Sequence, residues 1–370
     1  MNIRKTVLDL LLRMNAGGYS PILLNNALIK QPQHKAAVTA IFYGVIERRL
    51  TLDYVIARYV KRTPTATVQA IFRIAFYELV FMESEEYAVV NETVRLASAN
   101  ERGFVNAVLR SYLREPVDLT DASLSVKYSC PEWLVTKWQA EYGDEATLSI
   151  LESSLGKPPI FERIAPNGES YIQDESSYRA CVDLEPQGGE TILDLCAAPG
   201  GKSFTIATLM GNEGRVIACD KSGKLQLVTK GAKRLGLSII ETQVSDATVF
   251  DARLPQADRV VCDVPCSGLG VIRRKPEIKY KSESRFADLP QIQREILQSG
   301  SIYVKSGGVL MYSTCTLSRA ENDDVAEAFL AQNPEFELMS KQTFIPTKDG
   351  GNANDSRSGD GFFVAYFKRT

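Results

Sequence analysis

Histidine is almost missing from these 370 residues: the single one, His34, sits in the polar stretch KQPQHK and reads as a solvated loop residue far from any chemical motif. A Ser-His-Asp or Cys-His mechanism therefore has no base in the second half of the chain, and any cysteine nucleophile there must be activated by something else. No CxxC pair occurs, which argues against a zinc site. No apolar run approaches the roughly 20 residues of a membrane span, and the opening MNIRKTVLDLLLRMNAGG lacks the clean apolar stretch and cleavage site of a secretory signal. The seven cysteines are odd in number and without framework spacing, so free thiols in a reducing compartment, the cytoplasm, are expected. GxGxxG is absent, and Gly201-Lys202-Ser203 is no phosphate loop, because GxxxxGK[ST] requires glycine where Cys196 stands. There is no internal repeat or low-complexity tract.

What is present suffices for two or three domains with real cores, since 44% of the residues are apolar. The net charge of −2 hides an asymmetry. Residues 1–115 carry 15 Lys+Arg against 10 Asp+Glu and the remainder 28 against 35, or about +5 and −7. A basic N-terminal module suits a polyanion, although a basic helical face is also an ordinary solvated surface.

Helical periodicity runs through residues 3–114, as in Val7, Leu8, Leu11 and Leu12 or Ile71, Ile74, Ala75 and Leu79, with Pro21, Pro32 and Pro64 as punctuation. This part is expected to be all-α over residues 1–120. A linker and small mixed subdomain follow over 121–187, with a helical segment from about 131 to 154. From 188 to 370 strand and helix signals alternate: TILDLC, helix 201–211, RVIACD, helix 222–235, ETQVSD, RVVCDV, helix 285–305, GVLMYS, helix 319–332 and GFFVAYFK. That alternation predicts an α/β fold with a mostly parallel, doubly wound sheet.

The segment Cys196-Ala197-Ala198-Pro199-Gly200-Gly201-Lys202 joins the first of these strands to a helix, and its glycines let backbone N–H groups approach a ligand. Asp220 ends the next strand, where an acidic side chain accepts hydrogen bonds from ribose hydroxyls, and Asp246 ends the third at the rim that would flank an adenine. With Asp263 they make three acidic strand ends after one glycine turn. This describes a nucleoside held by ribose and base contacts without a phosphate, and fits S-adenosylmethionine better than ATP or NAD.

Two cysteines stand where apolar strand patterns stop: Cys266 in Asp263-Val264-Pro265-Cys266-Ser267-Gly268 and Cys315 in Ser313-Thr314-Cys315-Thr316. Strands of open α/β sheets end at active sites, so both thiols can face one crevice. Cys219 and Cys262, inside strand runs, read instead as small buried hydrophobes. A methyl group is placed on a pyrimidine carbon only after thiolate attack at C6 makes C5 nucleophilic. The reaction also needs an acid group near N3 and a base for the C5 proton. One cysteine serves as nucleophile, leaving Asp263 and the other cysteine for the remaining roles. An exocyclic-amine methyltransferase is disfavoured because Cys266 replaces the aromatic residue its Asp/Asn-Pro-Pro-aromatic motif needs. The competing reading from another class is an RNA-binding factor with a vestigial catalytic domain.

LDLCAAPGGKS, DVPCSGLGVIRRKPEIKY, STCTLSRAEN and DGFF together resemble the family of RNA cytosine 5-methyltransferases that includes Sun and the nucleolar NOP-type proteins, over residues 130–370. FYGVIERRLTLDYVI and RGFVNAVLR resemble the NusB-type helical RNA-binding domain over the first 115 residues. The resemblance implies a Rossmann-like methyltransferase domain, S-adenosylmethionine as donor and a cytosine of bacterial 16S ribosomal RNA as target; no metal or membrane is expected, and no obligate protein partner is evident in the sequence. It makes Cys315 the nucleophile and Cys266 the residue that assists release. Cys196, Ala197, Ala198, Pro199, Gly200, Gly201, Lys202, Asp220, Asp246 and Asp263 become the cofactor set. Two positions depart from the family pattern: Cys130 before Pro131-Glu132-Trp133, where histidine is frequent, and Ala165 after Arg163-Ile164, where asparagine is common. The basic run Arg273, Arg274, Lys275, Lys279 and Lys281 is expected to meet RNA phosphates, and the target base has to be unstacked for Cys315 to reach it.

Overall fold

The computed structural model describes residues 2–15, 20–30, 32–221, 223–348 and 359–370. The chain divides into two compact units, residues 1–136 and 137–370.

The first unit is helical, with Ile3–Asn15, Ser20–Lys30, Lys35–Glu47, Arg49–Tyr59, Ala66–Phe81, Glu86–Val94, Arg102–Arg114 and the short Leu124–Lys127. Its proline punctuation falls where proline costs no helical hydrogen bond: Pro21 in a first turn, Pro32 opening the turn Pro32–His34, and Pro64 just ahead of Ala66–Phe81. That last helix starts with the Thr65 hydroxyl accepting from the Val68 N–H at 3.3 Å. It is the centre of the unit, with Ile71, Phe72, Ile74, Ala75 and Phe76 all fully buried. Phe76 meets Tyr112 edge-on at 5.1 Å and Tyr59 at 6.2 Å between ring centroids.

The helix Glu132–Ser153, which falls where the sequence places a helical segment, runs into the second unit and is followed there by a hairpin, β1 (Glu162–Ile164) and β2 (Ser170–Ile172). A seven-stranded sheet follows, built from β3 (Thr191–Asp194), β4 (Arg215–Asp220), β5 (Ile240–Val244), β6 (Ala257–Asp263), β7 (Val304–Thr314), β8 (Phe336–Phe344) and β9 (Phe362–Arg369), in the order β5-β4-β3-β6-β7-β9-β8. The strands β3 to β7 pair in parallel, and β9 runs antiparallel between β7 and β8. Period-two alternation buries both faces. Ile192, Val216, Ala218, Val261 and Met311 pack on one side with Phe204, Ile206 and Val228, while Leu193, Ile217, Val260, Leu310 and Tyr312 pack on the other with Ile296, Leu297 and Phe329. Helices Gly201–Leu209, Leu225–Leu235, Leu289–Ser301 and Asp323–Gln332 supply the crossovers, and Glu175–Asp183 packs beside the first of them. Ser222, the expected first residue of the second crossover helix, lies outside the described residues.

The α/β class, the parallel order and each strand read from sequence are present. The alternation did not reveal β8, because this edge strand shows only its end residues to the core and Glu337 to Lys341 to solvent. The strand order reverses beside β3, so the ends of β3, β4, β6 and β7 surround one crevice.

Candidate active site

Each functional side chain hangs from the carboxyl end of a strand. The turn after β3 is pinned on both sides, Leu195 N–H to Val261 O at 2.9 Å and Ala197 N–H to Cys219 O at 2.8 Å. Gly200 then turns the chain at φ 119° into helix Gly201–Leu209, and a Cβ there would lie 2.4 Å from the Phe204 ring. Only glycine fits both constraints. Asp220 closes the turn from β4, its Oδ2 accepting the Ala198 N–H at 3.2 Å. Asp246 lies two residues past β5. Its Oδ1 accepts from Thr248 N at 3.1 Å and Thr248 Oγ1 at 2.8 Å, bonds that hold its carboxyl below the usual range, and Lys221 Nζ stands 3.5 Å from Oδ2. The turn, the helix N-terminus and these two acids form a cradle for an uncharged nucleoside, so the residues fit the adenosyl part of S-adenosylmethionine.

Lys202 connects cradle and thiols. Its Nζ lies 2.8 Å from Asp263 Oδ2, donates to Ser177 Oγ at 3.0 Å and sits 4.9 Å from the Phe362 ring centre. Burial lowers its pKa, but the charge and hydrogen bond of Asp263 together with Cys181 and Asp194 outweigh this and raise it, so the ammonium is retained. Asp263 accepts from Ser313 Oγ at 2.9 Å through its other oxygen.

Beyond β6 and β7 the sulfurs of Cys266 and Cys315 stand 3.3 Å apart, a hydrogen-bonded pair of free thiols. The pair is unequal. The hydrogen bond from Cys266 lowers the Cys315 thiol, against its burial and the charge of Asp263 and together with Lys202 and Lys275. The same bond raises Cys266 well above the ordinary thiol range, reinforced by burial and by Glu321. Either sulfur can donate the hydrogen bond that joins them, and their surroundings favour the proton on Cys266 and the charge on Cys315.

Two loops are clamped to hold this geometry. Ser267 Oγ and Thr316 Oγ1 are 2.6 Å apart, and Gly270 N–H reaches Cys315 O at 3.1 Å. The buried Glu321 carboxylate accepts from Ser267 N and from Gln293 Nε2, both at 2.9 Å, and Asn322 Nδ2 donates to Thr316 O at 3.0 Å. Of these, Glu321 and Asn322 stood inside the STCTLSRAEN motif without an assigned role; Ser177 and Gln293 carry no sequence signal.

The basic run differs from expectation. Arg273 is buried on Asp360 Oδ1 at 2.7 Å and Gly359 O at 2.7 Å, while Arg274 pairs with Asp360 and with Asp174 Oδ2 at 3.2 Å. Both tie the Cys266 loop to the entry of β9 instead of facing phosphates, and Lys279 is buried as well. Lys275 and Lys281 remain exposed. Cys130 and Ala165 are buried, so neither departure presents a side chain to RNA. Cys219 and Cys262 are inert core thiols, and burial pushes Cys219 up to about 12.

Fold and site define a thiol-bearing member of the Rossmann-like methyltransferases. A family model for 16S rRNA methyltransferase RsmB/F matches residues 181–368, and one for the NusB family matches residues 1–114. The probable ribosomal RNA small subunit methyltransferase B of Bacillus subtilis is 33% identical over 100% of this chain and 99% of its own, and the Salmonella newport ribosomal RNA small subunit methyltransferase B is 32% identical over 90% of each. The chain belongs to the RsmB/F family of 16S rRNA methyltransferases. The crystal structure of PH0851 shares the fold, with a TM-score of 0.76 at 23% identity over 100% of this chain and 99% of that one.

Proposed function

We propose that this protein methylates C5 of a cytosine in small-subunit ribosomal RNA, with Cys315 as nucleophile and Cys266 as the residue that assists release. The observation that carries the reading is the thiol pair, 3.3 Å between sulfurs, beside the Lys202–Asp263 pair at the head of the nucleoside cradle. The names of the relatives support the substrate class.

The Cys315 thiolate adds to C6 of the unstacked cytosine, and the proton held between Lys202 and Asp263 passes to N3 as negative charge develops there and returns when the adduct breaks down. S-adenosylmethionine, held by Cys196 to Lys202 with Asp220, Asp246 and Asp263, supplies the methyl group as a sulfonium. Cys266 starts as the hydrogen-bond donor to Cys315. Once the sulfur–carbon bond consumes the Cys315 charge, Cys266 releases its proton to solvent, and the resulting thiolate, with its raised proton affinity, is the base. It then takes the C5 proton, the C6–sulfur bond breaks, and Cys315 leaves as thiolate.

The helical domain, residues 1–120, provides RNA contacts in this reading. Two adjoining cavities share Tyr59 and Ser111; Phe104 and Val108 line the apolar side, and Arg58, Lys61, Arg62 and Arg114 supply cations, with Glu115 and Asp118 at one end. The free thiols suit the reducing cytoplasm.

The test is denaturing gel analysis with small-subunit RNA and labelled cofactor. Cys315→Ala should lose both methylation and adduct, whereas Cys266→Ala should accumulate a covalent protein–RNA complex. An adduct that accumulates in Cys315→Ala instead reverses the two roles.

A further inference from the structure

A thiol and a thiolate in hydrogen-bond contact share one proton, and nothing in the cysteine side chain says which sulfur keeps it; the surroundings decide. Around Cys315 stand Asp263 from the end of β6, Lys202 from the helix after the cradle and Lys275 from the following loop. Around Cys266 stand Glu321 and the phenol of Tyr312 on β7, and Tyr312 in turn feels Arg294 on helix Leu289–Ser301. Glu321 is therefore the carboxylate on the Cys266 side, and it is fixed there. It is 3% exposed, accepts the N–H of Ser267, the residue after Cys266, and is held from the opposite side by Gln293, whose amide also donates to Pro265 O at 3.0 Å. The backbone carbonyl of Glu321 accepts from the Tyr312 hydroxyl, which fixes the residue's backbone against β7.

We infer that Glu321 is the positioning residue that makes the two thiols unequal: its charge, seated under the Cys266 loop, keeps the shared proton on Cys266 and leaves the nucleophilic charge on Cys315. The inference rests on the reading of Cys315 as nucleophile. A negative group beside Cys266 opposes a second negative charge on that sulfur; Asp263 opposes it on the other, but there the Lys202 ammonium 2.8 Å from Asp263, with Lys275, offsets the carboxylate, whereas Glu321 is held by the neutral Ser267 N–H and Gln293 amide. The hydrogen bonds to Ser267 and Gln293 shape the loop, but only the charge discriminates between the sulfurs.

The full chain, without RNA or methyl donor, is treated briefly with limiting iodoacetamide at a series of pH values, and alkylation of Cys266 and Cys315 is quantified by peptide mass spectrometry. Wild type should react predominantly at Cys315. Glu321→Gln, which keeps an acceptor for Ser267 but loses the charge, should move the ratio toward Cys266 by about tenfold and shift the pH profile of Cys315 upward. Glu321→Asp should restore most of the wild-type ratio. A loop-shaping role alone would change both rates together and leave the ratio alone, and an unchanged ratio in Glu321→Gln overturns the inference. If that variant does not fold, thiolate absorbance in Cys315→Ser and Cys266→Ser decides. The lone Cys266 should ionise at clearly higher pH than the lone Cys315, and equal ionisation overturns the assignment. Neither readout uses RNA or methyl transfer, so failure here leaves the proposed reaction standing, and failure of the reaction leaves these ratios intact.

Discussion

Asp194 is the residue at which burial and chemistry compete. It ends β3 fully buried, with Oδ2 accepting from Ser203 Oγ at 2.6 Å and Oδ1 without a hydrogen-bond partner among the described residues. Burial pushes its carboxyl up to about 7, with Asp263 adding to the shift and Ser203 and Lys202 opposing it. An unfolded aspartate loses its proton near pH 4, so between about 4 and 7 the folded chain binds more protons and raising the pH destabilises it. Asp194→Asn should remove this dependence. Thermal melts of the two proteins should diverge from pH 4 to 7 in favour of the variant, by about 1.4 kcal/mol per pH unit. Gly200 carries a different constraint. Gly200→Ala forces a Cβ into the Phe204 ring at a φ of 119°, and should cost on the order of 1–3 kcal/mol in denaturant unfolding and abolish calorimetric binding of S-adenosylhomocysteine. The glycine was legible in the sequence as part of a turn. The protonation of Asp194 was not, because it depends on what covers the strand end.

At the scale of elements, the loops that carry the thiols are held by a convergence of chain segments. Gly270 lies where the Cys315 loop and the entry to β9 meet, its carbonyl accepting from Gly361 N–H at 2.9 Å. An added Cβ would stand 2.0 Å from Gly361 O and 2.9 Å from Cys315 O. Gly270→Ala should therefore cost about 1–3 kcal/mol or more in stability and slow alkylation of both cysteines, measured by denaturant unfolding and by mass spectrometry. The strands bearing the site were readable because they are buried on both faces and so appear as unbroken apolar runs. The edge strand β8 has polar residues on both faces and no such run. Arg273 and Arg274 were misread for a related reason: a basic run looks the same in sequence whether it faces phosphates or, as here, Asp360 and Asp174.

For the molecule as a whole, the charge asymmetry acquires an address in the helical unit. Arg114 donates to Ser111 Oγ at 3.2 Å and the Arg58 guanidinium lies 4.8 Å over the Tyr54 ring, neutral partners that leave both charges to act outward. Replacing Arg58, Lys61 and Arg62 with glutamine should raise KM for RNA, leave cofactor binding unchanged, and flatten the dependence of log affinity on log salt by about 0.7 for each single-strand phosphate that is no longer neutralised. Filter binding across a salt series measures this, and an unchanged slope would place the RNA-binding surface of that unit elsewhere.

The sequence by itself determined the α/β class and the helical character of the first part, and placed Cys266, Cys315, Lys202 and the aspartates at strand ends and turns, because strand periodicity and turn residues are local properties. Tertiary structure alone decided the 3.3 Å between the sulfurs, the place of Glu321 beneath one of them, and the diversion of two arginines into internal ion pairs. These follow from which loops the folded sheet brings together over distances of 49 to 87 residues, and a proton shared by two identical side chains is placed only by the charges that such a fold collects around each.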